Sequence, residues 1–313
     1  MISEKAVSAA FIKSLNLKKS ETCLVVTDTG LQDLAKPFFL YASKHCRKAY
    51  LEVMQILENN GSEPKEDVAK LMKGFDVILL ITSKSMTHTK ARRDATKEGA
   101  RIASMPGLTE DMANRCLDVD YSDMQKKGGK LRDMIVKCKR IRIVTKKGTD
   151  ITLERGDAIP HNSCGLIQKK SEYGNLPAGE VDFSPESASG IMVFDGSFPL
   201  FGRLEKPIRL EVKKGSVNGI SGWKAKELKG FLDGFGPKAY IVAELGIGTN
   251  PQASITGKVL EDEKVLGTCH IALGNNISYG RGNDVKMHMD GVITKPTIFL
   301  DDKKIMEEGN ILF

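Results

Sequence analysis

Short apolar runs punctuate the first third of the chain: TCLVVTD at 22–28, AYLEVM at 49–54, FDVILLIT at 75–82 and ARIASM at 100–105. Between them, segments near 30–45, 64–73, 88–99 and 108–115 space their apolar residues at helical intervals. This alternation predicts an α/β layer built on a largely parallel sheet. Thr109, followed by Glu110 and Asp111, has the chemistry of a helix start. The first residues, MISEKAVSAAFIKSLNLKKSE, read as an amphipathic helix. From about residue 140 the period shortens. RIRIVTKKGTDITLE predicts a hairpin, ASGIMVFDGS and PIRLEVKKGSVNGI predict further strands, and one helix spans Lys224 to Leu232. The expected fold is therefore α/β: a Rossmann-like domain over residues 1–140, then a β-rich domain over 141–313.

With 313 residues the chain suits two cores rather than one. Its net charge of +7 is uneven: residues 1–150 hold 28 Lys+Arg against 19 Asp+Glu, and the remainder 19 against 21. Much of the excess lies between Lys126 and Lys147. Leu131, Met134, Ile135 and Val136 make that stretch a surface helix with a solvated basic face, and no aromatic residues interleave to stack on bases, so nucleic acid is not an expected partner. No run of eighteen apolar residues is present, nor a signal-peptide core, so a cytoplasmic protein without a membrane partner is expected. The six cysteines include no CxxC pair, which disfavours a disulfide framework and a thiolate zinc site. Asp28-Thr29-Gly30 after the first strand is a generic turn, not GxGxxG, so NAD binding is disfavoured.

Candidate chemistry collects in the last third. In KMHMD, strand alternation sets His288 and Asp290 on one face and Met287 and Met289 on the other. His270 sits in the strand pattern GTCHIALG. In AYIVAEL, the same alternation places Glu244 with Tyr240 and Val242. Glu180 follows a Pro-Ala-Gly turn at a strand start, Glu263 precedes His270, and Tyr279 and Arg281 lie on a glycine-rich loop. Singly, each has an ordinary explanation as an ion-paired or hydrogen-bonded residue. Together in one β-rich domain, imidazoles and carboxylates suit a divalent cation of intermediate softness.

The ordered segments NLPAGEV, AELGIGTNP, DEKVLGTCHIALG and MHMD resemble the metal-binding segments of the thermophilic-type metallo-aminopeptidases, the aminopeptidase T and aminopeptidase S family, over about residues 175–294. The resemblance implies a two-metal site with Glu180, Glu244, His270, His288 and Asp290 as ligands and Glu263 as a further ligand or general base. Glu263 lies seven residues before His270 where the family has five, and Ile277 occupies the family's tyrosine position, two residues from Tyr279. SKSMTHTKARRDATKEGARIASMPGLTEDM is similar to a segment of shorter relatives, which implies a catalytic or carboxylate-binding His88 beside Arg92 and Arg93. The function implied is a metalloprotease-class hydrolase, an aminopeptidase removing N-terminal residues with water activated by two zinc, cobalt or manganese ions. A homodimer acting on a peptide or small molecule is implied with it. The alternative uses His270, His288 and Asp290 as a two-histidine, one-carboxylate set on Fe(II), as in ring-cleaving dihydroxypyridine dioxygenases that resemble the same fold, with His88 as acid or base. A third reading is a binding or scaffold protein with an idle site.

Overall fold

Strands buried on both faces need continuous apolar sequence, and the first sheet is built from such runs. The computed structural model describes residues 1–313. Thr22–Asp28 and Val77–Ile81 are buried at every position. The sheet is parallel throughout, in the order Lys48–Met54, Thr22–Asp28, Val77–Ile81, Arg101–Ser104, Tyr173–Asn175. Helices Gln32–His45, Glu66–Met72, Lys90–Lys97 and Glu110–Cys116 alternate with the first four strands in the chain. Thr89 and Thr109 cap two of them, each hydroxyl accepting a backbone N–H at 3.2 Å. Glu4–Ala9 forms the N-terminal helix and continues as a π-turn through Ser14. The α/β class expected from the sequence is the class observed.

The chain divides into two compact units, one comprising Met1–Asp123 with Ser163–Ala178, the other Met124–Asn162 with Gly179–Phe313. The short strand Tyr173–Asn175 thus reaches the parallel sheet after an excursion of the chain into the second unit. No helix is long and apolar enough to cross a membrane.

The second unit carries two antiparallel sheets. The larger runs in the order Ser216–Gly222, Ile208–Lys213, Ser187–Phe194, Asp150–Glu154, Arg140–Val144, Thr297–Leu300, Lys303–Glu307, Asn310–Ile311. It contains the expected hairpin, with Val144 opposite Asp150. The smaller sheet is ordered His288–Thr294, Thr268–Gly274, Val242–Gly248, Glu180–Phe183, His161–Ser163. Residues from both sheets share one core, among them Ile141, Ile151 and Phe194 from the larger and Phe183, Leu245 and Ile271 from the smaller. The helix expected near 224–232 spans Ala225–Asp233 and buries Leu228 and Leu232.

Candidate metal centre

The smaller sheet separates its chemistry by parity. Val181, Phe183, Leu245, Ile247, Cys269, Ile271, Met289 and Ile293 face the core. The alternate positions Glu180, Asp182, Gly246, His270 and Asp290 lie on the other face, as period-two geometry requires. Glu244 reaches that face by a different route from the one expected. Val242 belongs to the core, and the register shifts between Val242 and Glu244, so that Ala243 is an extra residue against the neighbouring strand. This β-bulge reverses the parity and frees Glu244 from the apolar side on which simple alternation placed it.

Of the seven residues implied as ligands or as acid or base, six converge here. Glu244 spans the two imidazoles: one carboxylate oxygen is 3.3 Å from His270 Nε2 and the other 2.9 Å from His288 Nε2. Asp290 Oδ1 is 3.3 Å from His288 Nε2, and Glu180 Oε2 is 3.7 Å from His270 Nε2. His288 Nδ1 donates to the Asn275 carbonyl at 2.8 Å, a support that turns its Nε2 toward the cluster. Ligand atoms of Glu180, Glu263 and His270 lie within 4.8 Å of one another, as do those of Glu244, His270 and Asp290. His88 is placed elsewhere, in the first unit, exposed one residue before the Thr89 cap, its carbonyl accepting from Arg93 Nη1.

Three members were not legible as site residues. Lys264, with a side chain only 2% exposed, extends its ammonium between Glu180 Oε1 and Glu263 Oε1, at 2.5 Å from each. In EDEKVLG it reads as part of a solvated charge run, and only burial reveals it. Asp182 accepts from the Tyr279 hydroxyl at 2.9 Å and lies 3.4 Å from His161 Nδ1. The rings of His161 and Tyr279 stack with centroids 5.5 Å apart. The two-residue spacing from Glu180 was a signal for Asp182; a three-residue edge strand gave none for His161.

The electrostatics are those of charges withdrawn from water. Burial pushes Glu180 up to about 8 and raises Glu263 as well, despite the neighbouring ammonium. Burial also acts to raise Glu244, but hydrogen bonds from His270 and His288 outweigh it and hold the carboxyl well below its usual range. For the histidines burial favours the neutral ring, yet the Glu244 carboxylate drives His270 up to about 10, and Asp290 with Glu244 drives His288 well above its ordinary value. Lys264 is likewise raised, burial being overcome by Glu180 and Glu263. Glu180 Oε2 and Asp290 Oδ1 are buried without a hydrogen-bond partner. Four carboxylates therefore meet one permanent cation, the balance being carried as protons on His270 and His288 that a bound metal ion would displace, and two carboxylate oxygens lack a hydrogen-bond partner. That deficit, with imidazole nitrogens beside it, fits a divalent cation.

Fold and cluster together define the class, a two-unit α/β protein with a candidate divalent-metal centre on the smaller sheet of its second unit. The family model for NicX, 2,5-dihydroxypyridine 5,6-dioxygenase, matches residues 15–313, and the chain belongs to that family. The 2,5-dihydroxypyridine 5,6-dioxygenase of Pseudomonas putida is 23% identical over 250 residues, which cover 75% of this chain and 71% of the relative. A solved structure of 2,5-dihydroxypyridine dioxygenase from Pseudomonas putida KT2440 superposes with a TM-score of 0.84 at 18% identity, covering 98% of this chain and 96% of the other. Wild-type AmpT from Thermus thermophilus superposes with a TM-score of 0.71 at 14% identity, covering 99% of each chain. The likeness to AmpT accounts for the aminopeptidase-like fold and extends no further. Membership of a dioxygenase family overturns the expected function: the chain belongs among oxygenases, and the aminopeptidase, hydrolase and metalloprotease readings, with their zinc- or cobalt-activated water, are corrected accordingly. The donors recognised in the sequence are shared by both chemistries, which is why the ligand pattern alone pointed to the wrong one.

Proposed function

We propose that the protein is a mononuclear non-haem iron dioxygenase that opens a dihydroxylated nitrogen-containing aromatic ring, with 2,5-dihydroxypyridine or a close analogue as substrate. The observation that carries this reading is the co-occurrence of two imidazoles and a carboxylate, His270, His288 and Asp290, in a chain matched over residues 15–313 by this family. Those three side chains would hold the ion. When bound, ferrous iron supplies the one-electron chemistry that lets dioxygen react with an aromatic ring, at coordination positions a two-histidine, one-carboxylate set leaves open. In the balanced reaction, the bond between ring carbons 5 and 6 breaks and both atoms of dioxygen enter the opened product.

The chain's own residues have separable tasks. Asn275 orients His288 through its carbonyl, leaving Nε2 free for the ion, and the Glu244 carboxylate stands beside the Nε2 atoms of both imidazoles, next to the position that the ion would take. Asp182 and His161 on the same sheet, with Tyr279 from the turn after Thr268–Gly274, form a hydrogen-bonding and stacking group suited to a flat, hydroxylated ring. The test of the whole reading is elemental analysis of anaerobically purified protein beside oxygen uptake with 2,5-dihydroxypyridine. One iron per chain, kept in Glu244→Gln and lost in His288→Ala, with substrate-dependent uptake, is expected. Two ions per chain that fall together in Glu244→Gln, or no uptake by iron-loaded protein, would overturn it.

A further inference from the structure

The donor atoms around His270 form two sets rather than one. Glu180, Glu263 and His270 make the first and Glu244, His270 and Asp290 the second, with His270 common to both. Two adjacent donor sets sharing a ligand are the layout of a two-cation centre. Yet two of the three members of the first set are already engaged. Lys264 Nζ stands 2.5 Å from a carboxylate oxygen of each, and its side chain has almost no contact with solvent.

The backbone leaves that ammonium little freedom to withdraw. Lys264 follows the short helix Val259–Asp262, its N–H donates to the Glu261 carbonyl at 2.9 Å, and its own carbonyl accepts from Asn250 N at 2.8 Å. Gly248 admits this segment against the strand: a Cβ there would collide with Val265 O and approach the Lys264 carbonyl carbon to 2.8 Å. The stem is thus fixed at its root and buried to its tip. A lysine ammonium is a compact point charge, and a divalent ion on Glu180 and Glu263 would sit against it with like charge and no intervening water.

We propose that Lys264 acts as a built-in cation that fills the second metal position, so that the protein binds a single divalent ion, on His270, His288 and Asp290. The inference rests on the mononuclear reading above and deepens it by naming the residue that enforces the count. One ion leaves coordination positions for two reactants, whereas a second ion on Glu180 and Glu263 would favour a water held between the pair.

The experiment uses manganese(II) as the probe metal on the full-length protein, stripped with chelator, with binding counted by calorimetry and coupling read by electron paramagnetic resonance. Wild type should take up one manganese per chain and give the six-line signal of an isolated ion. Lys264→Met should take up two, the second at least about a hundredfold more tightly than any second ion in wild type, with a signal broadened by coupling between neighbouring ions. Adding Glu263→Gln to that variant should return the count to one. Two coupled ions in wild type, or one ion in a folded Lys264→Met protein, would overturn the proposal. Should Lys264→Met fail to fold, Glu263→Gln in the presence of Lys264 decides: it should keep the single ion within about threefold of wild-type affinity, and loss of that ion places Glu263 in the occupied site and refutes the assignment. Wild type that binds no divalent ion refutes the mononuclear function as well, whereas one ion in both wild type and folded Lys264→Met refutes only the role of Lys264.

Discussion

Gly246 is the position at which a single methyl group should be most costly to the centre. It sits on the strand Val242–Gly248 directly opposite His270, with Asp182 opposite on its other side. A Cβ built there collides with the edge of the His270 ring, 2.1 Å from Cε1, 2.2 Å from Nε2 and 3.0 Å from Nδ1. Nothing in the backbone forbids the residue: Gly246 is not among the positive-φ glycines, so alanine would gain about 0.4–1 kcal/mol from the lower entropy of the unfolded chain. The sign of Gly246→Ala is therefore decided by the ring. His270 is fully buried and faces Glu180 and Glu244, so it cannot swing aside without disturbing them. Overpacking of this kind costs about 1–3 kcal/mol, which for a unit of about 150–250 residues lowers the melting temperature by about 2–12 °C. Turning the ring should also weaken metal binding by at least about 10–100-fold, the loss seen when support of a ligating histidine is removed. Melting curves of metal-free and metal-loaded protein separate the two effects, because metal stabilises only the folded state that binds it. Gly230→Ala is the control: it lies in the helix Ala225–Asp233 with nothing within 4 Å of its Cβ and should stabilise by about 1 kcal/mol. A Gly246→Ala protein that melts at or above wild type with unchanged metal affinity would show the ring contact to be without consequence.

Three further outcomes follow from the same geometry. In metal-free protein, His270 at about 10 and Glu180 at about 8 both lie above their unfolded values, so the stability they contribute is lost as pH rises. Between pH 6.5 and 10 the stability of the metal-free protein should fall, by about 1.4 kcal/mol per pH unit for each proton released, and its melting temperature with it, while metal affinity rises because the ion needs neutral imidazole; a flat metal-free profile in thermal melts across that window would contradict the assignment. His288→Ala should reduce metal affinity at least about a hundredfold, measured by competition with a chromogenic chelator, and should also lower metal-free stability, because it takes a partner from the buried Glu244 and Asp290 carboxylates. In the first unit, Arg101 holds Glu21 through two bonds of 2.9 and 2.8 Å with its own side chain 6% exposed, so Arg101→Met should cost about 3 kcal/mol in denaturant titrations and leave metal binding untouched.

Much of this arrangement was legible because strands obey a short period. The parity of KMHMD fixed the facing of His288 and Asp290, and the apolar runs fixed four of the five parallel strands. Parity failed at Glu244, since a bulge is a local excess of one residue that leaves no hydrophobic signature. The three-residue strands Tyr173–Asn175 and His161–Ser163 were too short to carry a period at all. His88 had a readable local setting, the start of a helix, but a helix start does not say which side chains elsewhere in the chain it will serve.

The error in chemistry had a different origin from the error in geometry. Glu180, Glu244, His270, His288 and Asp290 would be the same letters in a hydrolase and an oxygenase, so a donor list cannot choose between activating water and admitting dioxygen. What separates the two is how many positive charges the donors still require. That number depends on which carboxylates are already paired, and pairing depends on burial. Lys264 stands beside Glu263 at the end of the charged run Glu261-Asp262-Glu263, which reads as a solvated face, where an ion pair contributes little. Buried, the same residue pairs with Glu180 and Glu263 and leaves Asp290 Oδ1, without a hydrogen-bond partner, to a smaller site. Recognition of ligands by type and spacing therefore needs a second step, a count of the cations that the fold itself supplies, before a reaction class is assigned.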